Sequence, residues 1–392
     1  MAKVITFFNH KGGVGKTTLV HNIGFILADK GQKVLLIDAD PQMNLTAAMY
    51  GLSTSIEYSE NEDSKWNQNI NRYISFTEYL DLELKSQECE KTLFRIPSQK
   101  DSNGFLDLIS GAIKLFDWEA DLYGVIKNKN DFTKDIPAKF EKAIKKHKND
   151  YDFILIDTSP SANSIINGLI MMSTDYFIAP VSPSFFSLQA IDNLSAIFNN
   201  WIKLLGEYET TKSNVGLSFR PKFLGLVVQM AKRFNGGAIN ENEQRRDLFS
   251  ALSSDENNSA ELQDETKFSK SAEKWIKDVN NSVRKFQKFA FARDMSISEN
   301  DFLNIFGGNQ TPFIIQKCCD FTYQLKSVAE KAGIPIVHLT QDICDKYKDS
   351  STKVDITKEK GQYKLSFDSI YSSYNKIADG LIKLKNYKLV IN

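Results

Sequence analysis

The chain has 392 residues, 42% of them hydrophobic, with 49 basic side chains balanced by 49 acidic ones. Such a length allows one large α/β domain with insertions as readily as two domains, and the charge balance excludes a global field that would draw the whole molecule to nucleic acid or an anionic surface. Cys89, Cys318, Cys319 and Cys344 lack paired CxxC spacing and read as reduced thiols. No apolar run approaches the roughly 18 residues of a membrane span, and the first residues read as a strand rather than a signal peptide, so the expected location is the cytoplasm.

Apolar stretches at 4–8, 34–37, 153–156, 176–179, 223–228 and 336–339 alternate with helix-period segments. That rhythm predicts an α/β fold, doubly wound around a mostly parallel sheet with helices on both faces. The first strand leads into His10-Lys11-Gly12-Gly13-Val14-Gly15-Lys16-Thr17-Thr18 and then a helix. Strand, glycine-rich turn and helix make a phosphate cradle: backbone N–H groups point inward, the helix adds its positive end and a lysine adds a full charge. The second strand ends in Asp38-Ala39-Asp40 and another, from Tyr151, ends in Asp157-Thr158-Ser159. Carboxylates at the carboxyl ends of parallel strands face the crevice where ligands bind. The strand at 223–228 ends in Gln229, whose amide can both donate to and accept from a purine edge.

Two stretches depart from this rhythm. Residues 51–147 open on a polar segment at 53–69 and continue with helices near 75–90 and 135–147, around a short strand at 105–109; these are expected as additions at one edge of the sheet. Residues 235–310 open on Asn235-Gly236-Gly237 and a polar tract at 253–259, and read as a mainly helical insertion on a single 392-residue domain. Within it Ala272, Ile276, Val279, Val283, Phe286 and Ala290 form a helical stripe, with Lys274, Lys277, Arg284, Lys285 and Lys288 off it. That pattern suits a helix packed on the core with a solvated basic face, or one that binds DNA or a partner. The closing segment repeats the device with Tyr374, Ile377, Leu381 and Leu384, flanked by Lys376, Lys383, Lys385 and Lys388.

The loop has His10 where the usual pattern has glycine, and a second lysine, Lys11, at its opening. In this it resembles the deviant Walker A loop of the ParA/MinD family of partition and positioning ATPases, a class of P-loop NTPases, and the segments ending in Asp40, Asp157 and Gln229 resemble further family motifs. The resemblance implies ATP and Mg²⁺ as ligands, held by Gly12, Gly13, Val14, Gly15, Lys16, Thr17 and Thr18. It places Lys16 on the β- and γ-phosphates, Thr17 on Mg²⁺ with Asp38 and Asp157 in its outer shell, Asp40 behind the attacking water and Gln229 near the adenine. Lys11 would cross to the nucleotide of a second copy. The implied function is an ATPase that dimerises on ATP, binds DNA nonspecifically through basic residues near the closing helix, and segregates a plasmid or chromosome or positions a cargo. A ParB-like or cargo-adaptor protein would stimulate hydrolysis, since no arginine finger is recognisable. The alternatives are a MinD-like membrane-associated regulator, disfavoured because Leu389-Val390-Ile391 is short for an anchor, and a nucleotide-switched interaction or defence component acting through residues 235–310.

Overall fold

Strands that are apolar on both faces reach low free energy only inside a sheet covered on each side. The computed structural model describes residues 1–50, 65–84, 90–98, 100, 103–128, 136–209, 217–231, 270–307, 311–320, 322–348, 353–359 and 361–389. Its elements run β1 (Lys3–Phe7), α1 (Lys16–Asp29), β2 (Lys33–Ala39), α2 (Asn44–Met49), α3 (Lys65–Arg72), α4 (Phe76–Leu84), β3 (Phe94–Pro97), β4 (Phe105–Ile109), α5 (Leu115–Asn128), α6 (Ile136–Lys145), β5 (Phe153–Thr158), α7 (Ile165–Ser173), β6 (Tyr176–Val181), α8 (Phe185–Leu205), β7 (Lys222–Ala231), α9 (Lys270–Phe291), α10 (Glu299–Phe306), β8 (Ile314–Cys319), α11 (Tyr323–Ala332), α12 (Gln341–Tyr347) and α13 (Gln362–Asn386).

The eight strands form one sheet in the order β3-β4-β2-β5-β1-β6-β7-β8. Only the β3–β4 pair at the edge is antiparallel; the other neighbours are parallel. The chain moves from β1 to β2 on one side and from β5 across β1 to β6 on the other, so the sheet switches direction at its centre. Parallel strands end on the same side, and the loops after β1, β2 and β5 therefore meet at one crevice. The register sets Asp157 beside both Phe7 and Asp38.

The helices seat where their periodicity directs them. On α9, Ile276, Val279, Val283, Phe286 and Ala290 are buried against α8 and β7. On α13, Tyr374, Ile377, Leu381 and Leu384 are fully buried, packed on β8 and α1. Two expectations need correction. The apolar run at 336–339 is a 3-10 turn, Ile336–His338, because Pro335 starts it and a short apolar run can seat a turn in the core as well as a strand. The outer parallel strand is instead Ile314–Cys319, whose centre, Gln316-Lys317, is only half-buried, which masked its pattern. Of the polar segment at 53–69, residues 65–69 begin helix α3 rather than continuing a loop; 53–64, the tract at 253–259, the Asn235-Gly236-Gly237 turn, Cys89 and the Val390-Ile391 tail lie outside the described residues.

Candidate nucleotide site

Gly13 and Gly15 adopt left-handed backbone angles, φ 71° and 80°, which a residue with a Cβ adopts only at a cost. No other atom lies within 4 Å of where a Cβ on Gly12 or Gly13 would be, so the inner side of the loop is open space. Gly15 caps the N-terminus of α1, whose exposed amides and dipole favour an anion. Gly12 through Thr18 line a cavity of about 630 Å³, whose wall also includes Asp40, Gln42, Asn44, Pro160 and Met230, with Lys326, Glu330 and the 333–336 stretch on it as well.

The ammonium of Lys16 donates to the carbonyl of Asn9 at 3.0 Å, and burial lowers its pKa against the opposing pull of Asp157 and Asp40. The Thr17 hydroxyl donates to Asp157 Oδ2 at 2.6 Å, while Asp157 Oδ1 is buried without a partner among the described residues. Burial, reinforced by the neighbouring Asp38, pushes the Asp157 carboxyl up to about 8. A hydroxyl beside an unsatisfied, partly neutralised carboxylate under a phosphate loop suits a hydrated Mg²⁺, which would supply the missing positive charge.

Asp38 is engaged at the turn after β2. Its Oδ2 accepts from both the N–H and the hydroxyl of Thr46, at 2.8 and 2.7 Å, and its Oδ1 accepts from the Asp40 N–H at 3.2 Å. Thr46 in turn accepts from the Gly111 N–H at 2.7 Å, so Asp38 fixes the β2 turn and acts on the site through Asp157 and Asp40. Burial pushes its pKa up to about 6. Asp40 accepts from the Gln42 N–H at 2.9 Å and lines both the large cavity and a second of about 310 Å³ that includes Phe116, Glu119 and Ser159 to Ser161.

Gln229 lies behind the loop. It is fully buried, its amide nitrogen donates to the Gly15 carbonyl at 2.9 Å, and its amide oxygen accepts from the Tyr374 hydroxyl at 3.0 Å. Both ends are engaged, so it braces the loop against α13, and Met230 faces the cavity in its place. Lys11 sits at the loop's outer edge, where its ammonium meets the hydroxyls of Ser184, Ser182 and Ser187 at 2.8, 3.4 and 3.5 Å and lies 5.6 Å from the Phe186 ring. Sequence reading had no signal for these serines, nor for Asn9, whose amide ties the loop to Pro180 at 2.7 Å and to the Lys11 N–H at 2.9 Å.

Fold and site together define a P-loop nucleotide-binding protein with a second lysine in its loop. The family profile described as AAA domain matches residues 2–209, and the chain belongs to this family, among its ParA/Soj/MinD members. It is 34% identical over 189 residues to the uncharacterized protein MJECL24 of Methanocaldococcus jannaschii, covering 48% of this chain and 62% of that one. It is 31% identical over 193 residues to the chromosome-partitioning ATPase Soj of Treponema pallidum, covering 49% and 61%. The chain thus spans just under two thirds of the length of these relatives. Among solved structures, apo McdA from Cyanothece superposes with a TM-score of 0.53 at 15% identity, covering 95% of this chain and 99% of that one. The ParA of pNOB8 bound to nonspecific DNA gives 0.51 at 18%, covering 99% and 100%. At those identities the likeness is one of fold.

Proposed function

We propose that the protein is an ATPase of the partition and positioning kind, switched between a free chain and a nucleotide-clasping pair. The observation that carries this reading is Lys11: an ammonium at the open rim of the phosphate loop, held by hydroxyls and paired with no carboxylate among the described residues. Beside it Phe185 and Phe186 are 53% and 65% exposed, and Phe116, on the wall of the second cavity next to Asp40, is 54% exposed. Exposed aromatics around a free cation suit burial against another protein surface, here a second copy whose triphosphate would take the ammonium from its serines.

Within one chain, Lys16 exchanges the Asn9 carbonyl for phosphate oxygens, and the N–H groups of Gly12 to Thr17 hold the remaining charge. Thr17 and Asp157 fit a Mg²⁺ ion, which would neutralise charge on the transferring group. Asp40, between the two cavities, is placed to orient a water. Phosphoryl transfer depends on positioning and charge, and with Lys11 delivered only by the pair, turnover in the free chain is slow. DNA retention by the paired form and stimulation by an adaptor protein complete the reading, supported by the pNOB8 ParA likeness and the partition relatives.

The test is turnover and co-sedimentation on purified protein. Slow Mg²⁺-dependent ATP hydrolysis and ATP-dependent retention on duplex DNA are expected. Retention on anionic liposomes alone would move the protein to membrane positioning, and no hydrolysis at any protein concentration would overturn the proposal.

A further inference from the structure

We propose that the exposed basic face of α9 is the surface on which DNA phosphates dock, an inference that rests on the DNA reading above and assigns it a place. Lys274, Lys277, Arg284, Lys285 and Lys288 are all exposed. At about 100° per residue they fall within an arc of about 100°, and at 1.5 Å per residue they span about 21 Å along the helix. The neutral donor Asn281, also exposed, lies inside the same arc. None of the five basic groups pairs with a carboxylate among the described residues; the helix carries two carboxylates, Glu273 one position before Lys274 and Asp278, half-buried at the edge of the arc. In a chain with no net charge, five cations on one helix face, unpaired among the described residues, are a local field suited to a row of phosphates.

The closing helix is less suited. Lys385 of α13 is tied to Asp152 at 2.6 Å and to Gln32 at 2.9 Å, and Asp379, exposed between Lys376 and Lys383, pairs with Lys30 at 3.0 Å. Its free cations are therefore few and interrupted by a carboxylate. Helix α9 also reaches the nucleotide rim, through a side chain outside the basic arc. Trp275 lies 6.4 Å from Phe185, which lies 6.0 Å from Phe186, the ring beside Lys11. Pairing two chains across that rim brings two α9 helices into one assembly, and two linked sites hold a polymer far more strongly than one, which makes DNA retention depend on ATP.

The experiment compares wild type with the triple variant Lys277→Glu, Lys285→Glu and Lys288→Glu on random-sequence duplex DNA, with ATP, across a salt series. The variant should lose at least about tenfold in affinity, with a log–log salt slope shallower by about two to three, while its basal ATP turnover and melting temperature stay at wild-type values. Arginine at the same three positions should keep the affinity, and Lys376→Glu with Lys383→Glu should change it by less than about threefold. Undiminished retention of the α9 variant would overturn the docking face and leave the DNA reading standing. Wild type that is never retained on DNA would overturn both. Retention on phosphatidylglycerol vesicles instead, lost in the α9 variant, would overturn DNA as the partner.

Discussion

Asp157 concentrates the chemistry of the site in one side chain. Its carboxyl is raised from 3.8 to about 8, so the folded, nucleotide-free chain holds a proton that the unfolded chain releases near pH 4. Stability from this group is therefore full below about pH 4 and lost as pH rises through about 8, with Asp38, raised to about 6, acting in the same direction. The nucleotide-free protein should melt at lower temperature as pH climbs over that window. Asp157→Asn should flatten the profile, and identical profiles for both proteins would contradict the assignment. Because the cation binds the ionised carboxylate, Mg²⁺ binding should release protons and strengthen toward pH 8, measurable by calorimetry in two buffers of different ionisation enthalpy.

Among the elements, the phosphate loop is held from behind by α13 through Tyr374 and Gln229. Gln229→Leu removes both of these hydrogen bonds, a loss of about 1–3 kcal/mol for the two together, while the Gly15 carbonyl keeps its bond from the Leu19 N–H at 2.9 Å. Chemical denaturation should show that loss, together with weaker ATP binding from a loosened loop. A stability equal to wild type would mean that the brace is idle. The same helix is seated through Gly380, where a Cβ would stand 2.3 Å from the Phe306 ring on α10. Gly380→Ala should destabilise by about 1–3 kcal/mol through overpacking, and Phe306→Leu in the same chain should recover part of it.

These contacts mark the limit of what the sequence could reveal. The loop and the two strand-end carboxylates were legible because glycines, lysine and buried strands signal over a few adjacent residues. That Asp38 and Asp157 are sheet neighbours follows once β2 and β5 are placed in a parallel sheet. The commitment of Asp38 to Thr46, the bracing role of Gln229 and the serines around Lys11 depend on side chains brought together from distant segments, which no local pattern encodes. The strand Ile314–Cys319 was hidden for a different reason: an outer strand tolerates polar residues at its centre, and the turn at Ile336–His338 showed the more strand-like run.

For the whole molecule the account comes down to an ammonium exchanged between two chains. Within one chain Lys11 rests on hydroxyls, which bind a cation more weakly than a triphosphate does. On the proposed reading, nucleotide on a second copy would draw it across and close the aromatic rim around it. The ammonium's partner is what decides this proposal. The most direct measurement is sedimentation velocity of wild type and Lys11→Ala with saturating ATP and Mg²⁺, with nucleotide affinity measured on the same samples. Wild type should sediment as a dimer and Lys11→Ala as a monomer that still binds ATP within about threefold of wild type, since Lys16 supplies the charge within the chain. A Lys11→Ala protein that dimerises and hydrolyses ATP as wild type does would contradict the account.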